Sequence, residues 1–307
     1  MIRDLDKSPH VGIVTLNWNQ LHDTTVCLSS LGRLEYPSFE VVLVDNGSVD
    51  GSPGLIRQRF PGITVIENGR NLGFAAGNNV GIAELIRRGA DYVLLLNNDT
   101  EVAPNFLRVL VEAAESIPAA GILGPTVFYF DPPDVIWSAG GSIDRYGRPR
   151  HLEVDRRDAG TLEPVREVDY VTGCAMLVKK DVIDRVGVLN ERFFMYFEES
   201  EWCARARKAG FRVVHVSGAR IWHKIAPSAR AQSCRYLYLM ARNRLLYLQC
   251  CHASPWIVAI AALDLLRTAA SWRLRRRHKD KRALSGALVR GVRDYALGHL
   301  GAPPARL

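Results

Sequence analysis

Four short, largely apolar runs that alternate with helical stretches constrain this chain more than any other feature. They occupy residues 11–16, 40–44, 63–66 and 92–96, and helical patterning fills residues 23–34, 52–60, 73–88 and 104–116. Apolar runs bounded by polar turns read as strands buried on both faces. Strands alternating with helices predict an α/β fold, a doubly wound and mostly parallel sheet. Open sheets of that kind bind ligands along the carboxyl edge of their strands. Polar residues that close a strand are therefore the first place to look for chemistry.

Beyond residue 116 the rhythm breaks. Residues 121–129 predict one strand. Residues 137–165 are polar and rich in Gly, Arg and Asp, and read as a long loop or hairpin region over the active face. Residues 168–179 look extended, with Gly173 inside them, and residues 198–209 read as a helix stopped by Gly210. A strand follows at 211–216, and from residue 231 onward the signals are helical only. The expected organisation is a 1–230 domain carrying the chemistry and a 231–307 helical, basic C-terminal region. Six cysteines show no CxxC pair and no zinc-ligand spacing, and no signal peptide is visible, so reduced thiols in a cytoplasmic protein are expected. The first ten residues read as a loose leader.

The charge is uneven. The net charge is +8, and residues 265–294 alone hold ten Lys/Arg against two Asp, so the whole excess lies there. That segment includes Arg273, Arg275, Arg276, Arg277, Lys279, Lys281 and Arg282. Such a cluster points to an anionic partner. The apolar residues 255–263 before it are too few to span a bilayer, and Asp264 interrupts them. An apolar segment followed by a basic one resembles an anchor at an anionic membrane surface, placing the protein peripherally at the inner face of the plasma membrane. A tail packed on the main domain, or pairing with a second copy as a homodimer, would also explain it. The basic run lacks interleaved aromatics, so no nucleic-acid partner is expected.

Four polar clusters fall at strand ends or helix starts. The first joins Thr15, Asn17 and Asn19 with Asp45 and Gly47; Asp45 follows a buried strand, where a carboxylate can accept from a base N–H or a ribose hydroxyl. Read alone, Asp-Asn-Gly-Ser is also an ordinary turn. The second is Asn71, Gly73, Gly77, Asn78 and Asn79 at a helix start, which could turn backbone N–H groups toward an anion or simply allow close packing. It is neither a P-loop nor a GxGxxG fingerprint. The third is Asn97-Asn98-Asp99 after the strand at 92–96, where a lone carboxylate flanked by amides suits a hard divalent cation bridging to phosphate oxygens. The fourth is Glu198, Glu199 and Glu201, three carboxylates in four positions that raise one another's pKa unless a cation is near. Glu201 and Arg205 are spaced i, i+4 and can pair. That leaves Glu198 and Glu199 for the helix dipole or for general-base work.

In this order the clusters resemble the inverting nucleotide-sugar glycosyltransferases of family 2, with the GT-A fold, and most of all the rhamnosyltransferase-like enzymes of bacterial polysaccharide assembly. The likeness covers residues 11–223 and, more weakly, the tail. It implies that Asp45 contacts the base and that the stretch from Asn71 to Asn79, with Asn97 and Asn98, lies near the donor sugar and diphosphate. It implies that Asp99 carries Mg²⁺ or Mn²⁺, with His223 helping to hold it, and that Gly173 opens the acceptor-side strand. The family's acidic motif appears here as Glu198-Glu199-Ser200-Glu201 followed by Arg205, with glutamates in place of both aspartates. The base aligns with Glu199, while the longer side chain leaves Glu198 or Glu201 able to serve. The activity implied is transfer of a sugar, rhamnose among the candidates, from a dTDP- or UDP-sugar to a glycan or lipid-linked acceptor. The competing classes are a nucleic-acid-binding protein that uses the basic tail and an inactive sugar-nucleotide-binding module.

Overall fold

The computed structural model describes residues 8–224, 233–275 and 281–304, and the structural statements here concern those residues. Most of the expected leader, and Arg276, Arg277 and Lys279 of the basic run, lie outside them. Strands β1 (Val11–Asn17), β2 (Phe39–Asp45), β3 (Thr64–Glu67) and β4 (Tyr92–Asn97) run parallel in the order β3-β2-β1-β4. Register places Leu16 beside Asn97 and Asn17 beside Asp45, so three strand ends form one row. Next to β4 lies the antiparallel β11 (Ala175–Lys179), then β6 (Ala120–Tyr129), then β12 (Arg212–His223), which is parallel to β6. Two short strands complete the active edge: β5 (Thr100–Val102) on β12 and β7 (Ile136–Ser138) on β6. The remaining strands are β10 (Val165–Glu167) at the sheet edge and the hairpin of β8 (Gly141–Ile143) with β9 (Pro149–His151).

The expected α/β sheet is therefore present, with two departures. The polar stretch 137–165 is not a plain loop but contains β7, the β8–β9 hairpin and the start of β10. Of the extended stretch 168–179, only Ala175–Lys179 is strand, because a turn from Thr172 to Ala175 precedes it.

One face of the sheet packs on α1 (Leu21–Leu31) and α4 (Phe106–Ser116), the other on α3 (Gly73–Arg87) and α6 (Glu198–Lys208). The smaller helices α2 (Ser52–Arg59) and α5 (Lys180–Val186) flank it. Helix α1 begins two residues before the expected start and is not capped by Asp23 or Thr24; the Thr24 hydroxyl reaches Asn17 instead.

The glycines of α3 serve close packing. An added Cβ on Gly77 would stand 2.6 Å from Leu16, and one on Gly81 would stand 2.5 Å from Val14. Gly77 and Gly81, one turn apart, thus let the helix lie directly on β1.

The C-terminal helices are α7 (Cys234–Cys250), α8 (Pro255–Leu274) and α9 (Ser285–Ala296). They share an apolar core with the preceding region: Phe193 and Phe197 pack with Leu245, Leu246, Leu248 and Ala261. The boundary expected at residue 231 is not a boundary in packing. Asp264 does not interrupt α8 outwardly, since it turns inward to accept from Arg244 at 3.0 Å and to pair with Arg148 at 2.9 Å. The opposite side of α8 presents Trp256, Ile260, Leu263, Arg267, Ala270 and Leu274 at helical spacing, all exposed.

Gly81→Ala tests the packing of α3. Alanine gains about 1 kcal/mol of helix propensity over glycine, but overpacking a rigid core costs about 1–3 kcal/mol. The variant is expected to lose up to about 2 kcal/mol in urea titration with an unchanged slope.

Candidate active site

The carboxyl edge is tied together by one amide. Asn17, wholly buried at the end of β1, donates from Nδ2 to Asp45 Oδ1 at 2.8 Å, Ser52 Oγ at 2.7 Å and Ser48 Oγ at 3.1 Å. Its Oδ1 accepts from Thr24 Oγ1 at 2.8 Å. Asn98 Nδ2 joins the same network, donating to Thr24 Oγ1 at 2.8 Å. Asp45 accepts from Asn17 and Ser48 side chains and from the N–H groups of Gly47 and Ser48. Gly47, at φ 76°, passes so close to Arg70 that a Cβ would stand 2.6 Å from its backbone. Asn19 is exposed; it takes the Val49 N–H on its side chain and donates its own to Ser48, closing the loop above Asp45.

The expected sugar-donor residues divide here. Asn71 accepts from the Gly73 N–H and lines a cavity of about 530 Å³ with Trp18, Phe194 and Arg235. Asn97 closes β4, its backbone bonded to Cys174. Thr15, by contrast, is fully buried inside β1. Asn78 donates to the Phe74 carbonyl one turn back, and Asn79 fastens α3 to Leu189 and Glu191, so both amides face protein. The helix start does not offer its N–H groups to an anion either. The Phe74 and Ala75 N–H groups both donate to the Phe194 carbonyl, at 2.7 and 3.2 Å, and Gly73 is needed because a Cβ there would stand 2.5 Å from the Phe194 ring. Sequence spacing does not reveal this, because the partner lies 120 residues downstream.

Asp99 and His223 meet through strand pairing. β5 pairs His223 with Thr100, and the Lys224 N–H holds the Asp99 carbonyl at 2.8 Å. Asp99 Oδ1 and His223 Nε2 lie 3.0 Å apart, yet both are buried without a hydrogen-bond partner of proper geometry. A carboxylate oxygen and an imidazole nitrogen left unbonded side by side suit a divalent cation, which would take its other ligands from phosphate oxygens and water. No cluster of three protein ligands occurs among the described residues.

The acidic helix faces the same region. Glu201 is held by Arg205, whose Nε reaches both carboxylate oxygens at 2.8 and 2.9 Å while its Nη2 donates to the Val188 carbonyl. That pairing removes Glu201 from the candidates for base. Glu198 is 4 % exposed, whereas Glu199 is only half-buried, with Ser200 Oγ donating to its Oε1 at 3.3 Å. Each of the two keeps one oxygen without a partner. Burial pushes the Glu198 carboxyl well above its usual range, and the neighbouring Glu199 charge adds to this; burial raises Glu199 too, against hydrogen bonds from backbone and Ser200. Gly173 lies beneath this helix, where a Cβ would make ordinary contact with the Phe74 ring at 3.4 Å and with Glu199 Cβ at 3.5 Å. The adjacent Cys174 thiol is held up by burial, with further upward pushes from the charges of Asp99 and Glu199. Both carboxylates therefore bear on one residue.

A wall that the sequence did not single out lies beside this pair. Trp137 stands 4.6 Å from the His151 ring and 5.1 Å from the His223 ring. Burial, reinforced by His223, pushes His151 down to about 4, so it is neutral and bonds Ser138 at 3.0 Å. These residues come from the stretch read only as a covering loop.

The raised carboxyls give a signed prediction. A group whose pKa is higher folded than unfolded contributes stability below its unfolded pKa and loses it as pH rises through the folded value. Glu198→Gln is therefore expected to melt above wild type at pH 8, and the two melting curves should converge as pH falls to 5. A constant offset across that range would contradict the burial of an ionising pair.

Comparison with known proteins agrees with this fold. Residues 12–187 match the family described as Glycosyl transferase family 2. An N-acetylglucosaminyl-diphospho-decaprenol L-rhamnosyltransferase of Mycobacterium tuberculosis is 30% identical over 249 residues, covering 75% of this chain and 80% of that protein. The low-salt glycan biosynthesis hexosyltransferase Agl10 of Haloferax volcanii is 29% identical over 245 residues, covering 77% and 74%. Among solved structures, the mannosyltransferase PcManGT of Pyrobaculum calidifontis, in complex with GDP-Man and Mn²⁺, superposes with a TM-score of 0.59 at 15% identity, covering 95% of this chain and 88% of that one. GalNAc-T7 with UDP, GalNAc and Mn²⁺ gives 0.61 at 13% identity, covering 77% and 48%. At such identities the structures establish a shared fold. Together with the sequence match over more than half its length, this chain belongs to glycosyl transferase family 2.

Proposed function

We propose that the protein is a metal-dependent inverting glycosyltransferase that moves a hexose or deoxyhexose such as rhamnose from a dTDP- or UDP-sugar to a hydroxyl of a glycan or lipid-linked acceptor in cell-surface polysaccharide assembly. The observation that carries the reading is the convergence of two unlike groups on Cys174: the unbonded Asp99–His223 pair and the Glu199 carboxylate, one oxygen of which has no partner. The name of the mycobacterial relative, which specifies rhamnose and a lipid-linked diphosphate, supports the sugar and acceptor class.

Glu199 is the base. Burial raises its proton affinity, it is the least buried of the three glutamates, and its Oε2 has no partner in the protein. Its carboxylate takes the proton of the acceptor hydroxyl as that oxygen bonds to the anomeric carbon. The bond from that carbon to the diphosphate oxygen breaks on the opposite face, and the nucleoside diphosphate leaves with the electron pair. Asp99 and His223 would hold Mg²⁺ or Mn²⁺, which when bound neutralises charge on the departing diphosphate. The Asn17–Asp45 network and Asn71 border the sugar-donor side. Trp137 and His151 border the acceptor side.

The same reading gives the exposed side of α8 a partner. Trp256, Ile260, Leu263 and Leu274 line it with Arg267 among them and Arg273 and Arg275 at its end, a pattern that suits an anionic membrane surface. No helix among the described residues is long and apolar enough to cross a membrane, so docking would be peripheral. A lipid-linked acceptor would then be met where it resides.

Three experiments test these statements. In thermal-shift titration with nucleoside diphosphates, one nucleotide is expected to stabilise wild type only with Mn²⁺, and Asp99→Ala should lose that response. Glu199→Gln should keep it while transfer falls by about 10²–10⁴-fold; transfer near wild type would move the base to Glu198. In co-sedimentation with phosphatidylglycerol vesicles, wild type should pellet and the Trp256→Glu, Leu263→Glu double variant should stay in solution. Equal pelleting would refute the membrane face, and a salt-stable dimer lost in the double variant would assign it to a second copy.

A further inference from the structure

The residues joining the η-turn at 191–193 to the acidic helix adopt a backbone that their own side chains disfavour. Phe194, Tyr196 and Phe197 have φ of 66°, 71° and 73°, and none is the glycine or asparagine that tolerates this region. At Phe194 ψ is −54°, and the Met195 N–H donates back to the Phe193 carbonyl at 2.8 Å, a γ-turn of the strained hand. Such a conformation persists only where the surroundings over-determine it.

The surroundings are two side chains from α7. Asn243, wholly buried, directs its amide at the carbonyls of Phe193, Met195 and Tyr196, at 2.9, 2.8 and 2.8 Å. Arg242, also wholly buried, donates from Nη2 to the Phe193 carbonyl at 3.0 Å and from Nε to Asn243 Oδ1 at 3.0 Å, which fixes the amide's orientation. Three inward carbonyls are thus satisfied by the two N–H groups of one amide together with the guanidinium that holds it. On the other side of the same loop, the Phe194 carbonyl caps the first N–H groups of α3. Phe197 then accepts from the Glu201 N–H at 2.9 Å as α6 begins, with Glu198 and Glu199 next in sequence.

We propose that Arg242 and Asn243 are positioning residues for sugar transfer: by holding the loop 193–197 in its left-handed form they set the Glu199 carboxylate against the sugar-donor side of the cleft. The proposal rests on Glu199 being the base. Neither residue needs to touch substrate. Their effect passes through main-chain carbonyls that bridge α3 and α6, so it is felt as geometry at the reacting atoms rather than as lost binding.

The test compares wild type, Asn243→Ala, Arg242→Lys and Asn243→Ala combined with Tyr196→Gly. Asn243→Ala should lower kcat about 10²-fold, the scale of a misplacement near 1 Å, with the KM for the nucleotide sugar little changed. Amide hydrogen exchange should accelerate in peptides covering 194–201 and 73–76 while α1 and α4 keep their protection. Glycine adopts positive φ without strain, so adding Tyr196→Gly should recover part of the lost kcat. Wild-type kcat and exchange in Asn243→Ala, or no recovery with Tyr196→Gly, would overturn the proposal. If Asn243→Ala does not fold, Arg242→Lys, which keeps the charge but cannot make both bonds, must show the same kcat loss and the same local exchange. If wild type itself transfers no sugar, the reading of Glu199 falls, and the exchange data still decide whether α7 holds the loop.

Discussion

The active edge depends on the side-chain amide of Asn17. Backbone pairing aligns the ends of β1, β2 and β4, but it says nothing about where the chain goes after each strand. Asn17 supplies that second constraint by bonding Asp45 after β2 and Thr24 on α1, with Thr24 passing the link to Asn98 after β4. A buried carboxylate at Asp45 is tolerable because four protein donors surround it. With this knot tied, Asp99 is delivered to a fixed point, and β5 can bring His223 to it.

The other half of the site is built at the expense of stability. Glu198 and Glu199 are adjacent, buried and half-buried respectively, and each keeps one oxygen without a partner, while the loop before them is bent against its residues' preferences. The molecule offsets these costs with apolar burial that extends across the expected domain boundary, from Phe193 and Phe197 to Leu245 and Leu246. Local strain of this kind gathers at working sites. Arg205 shows the contrast within one helix: it neutralises Glu201 and leaves its two neighbours unpaired.

Much of this was legible in the sequence. The four parallel strands, the strand-end positions of Asp45 and Asp99 and the Glu201–Arg205 pair all follow from short-range pattern, since each depends on neighbours within a turn or on a strand's own end. Residues whose partners are remote were read less well. Asn79 looked like a ligand of the sugar donor because its bond to Leu189 spans 110 residues. The start of α3 looked open because its cap is the Phe194 carbonyl. The C-terminal helices looked like an appendage because a basic, apolar segment gives no sign of the inward-facing Arg242 and Asn243 just before it. Trp137 was hidden in a stretch whose composition suggested only a loop.

The hold of α7 on the loop has a consequence for how the protein acquires activity during synthesis. The sheet through β4 contains strands close in sequence and can form as the chain emerges, since domains assemble from the amino end as they are made. The loop that leads into the helix of Glu199 lacks its side-chain donors until residues 242 and 243 have been added. The segment that matches the family ends at residue 187, before either Glu199 or its support. A ribosome-bound chain could therefore complete its first four parallel strands well before the acidic helix is held in place, and under the role proposed for Glu199 the capacity for transfer would arrive late, with α7.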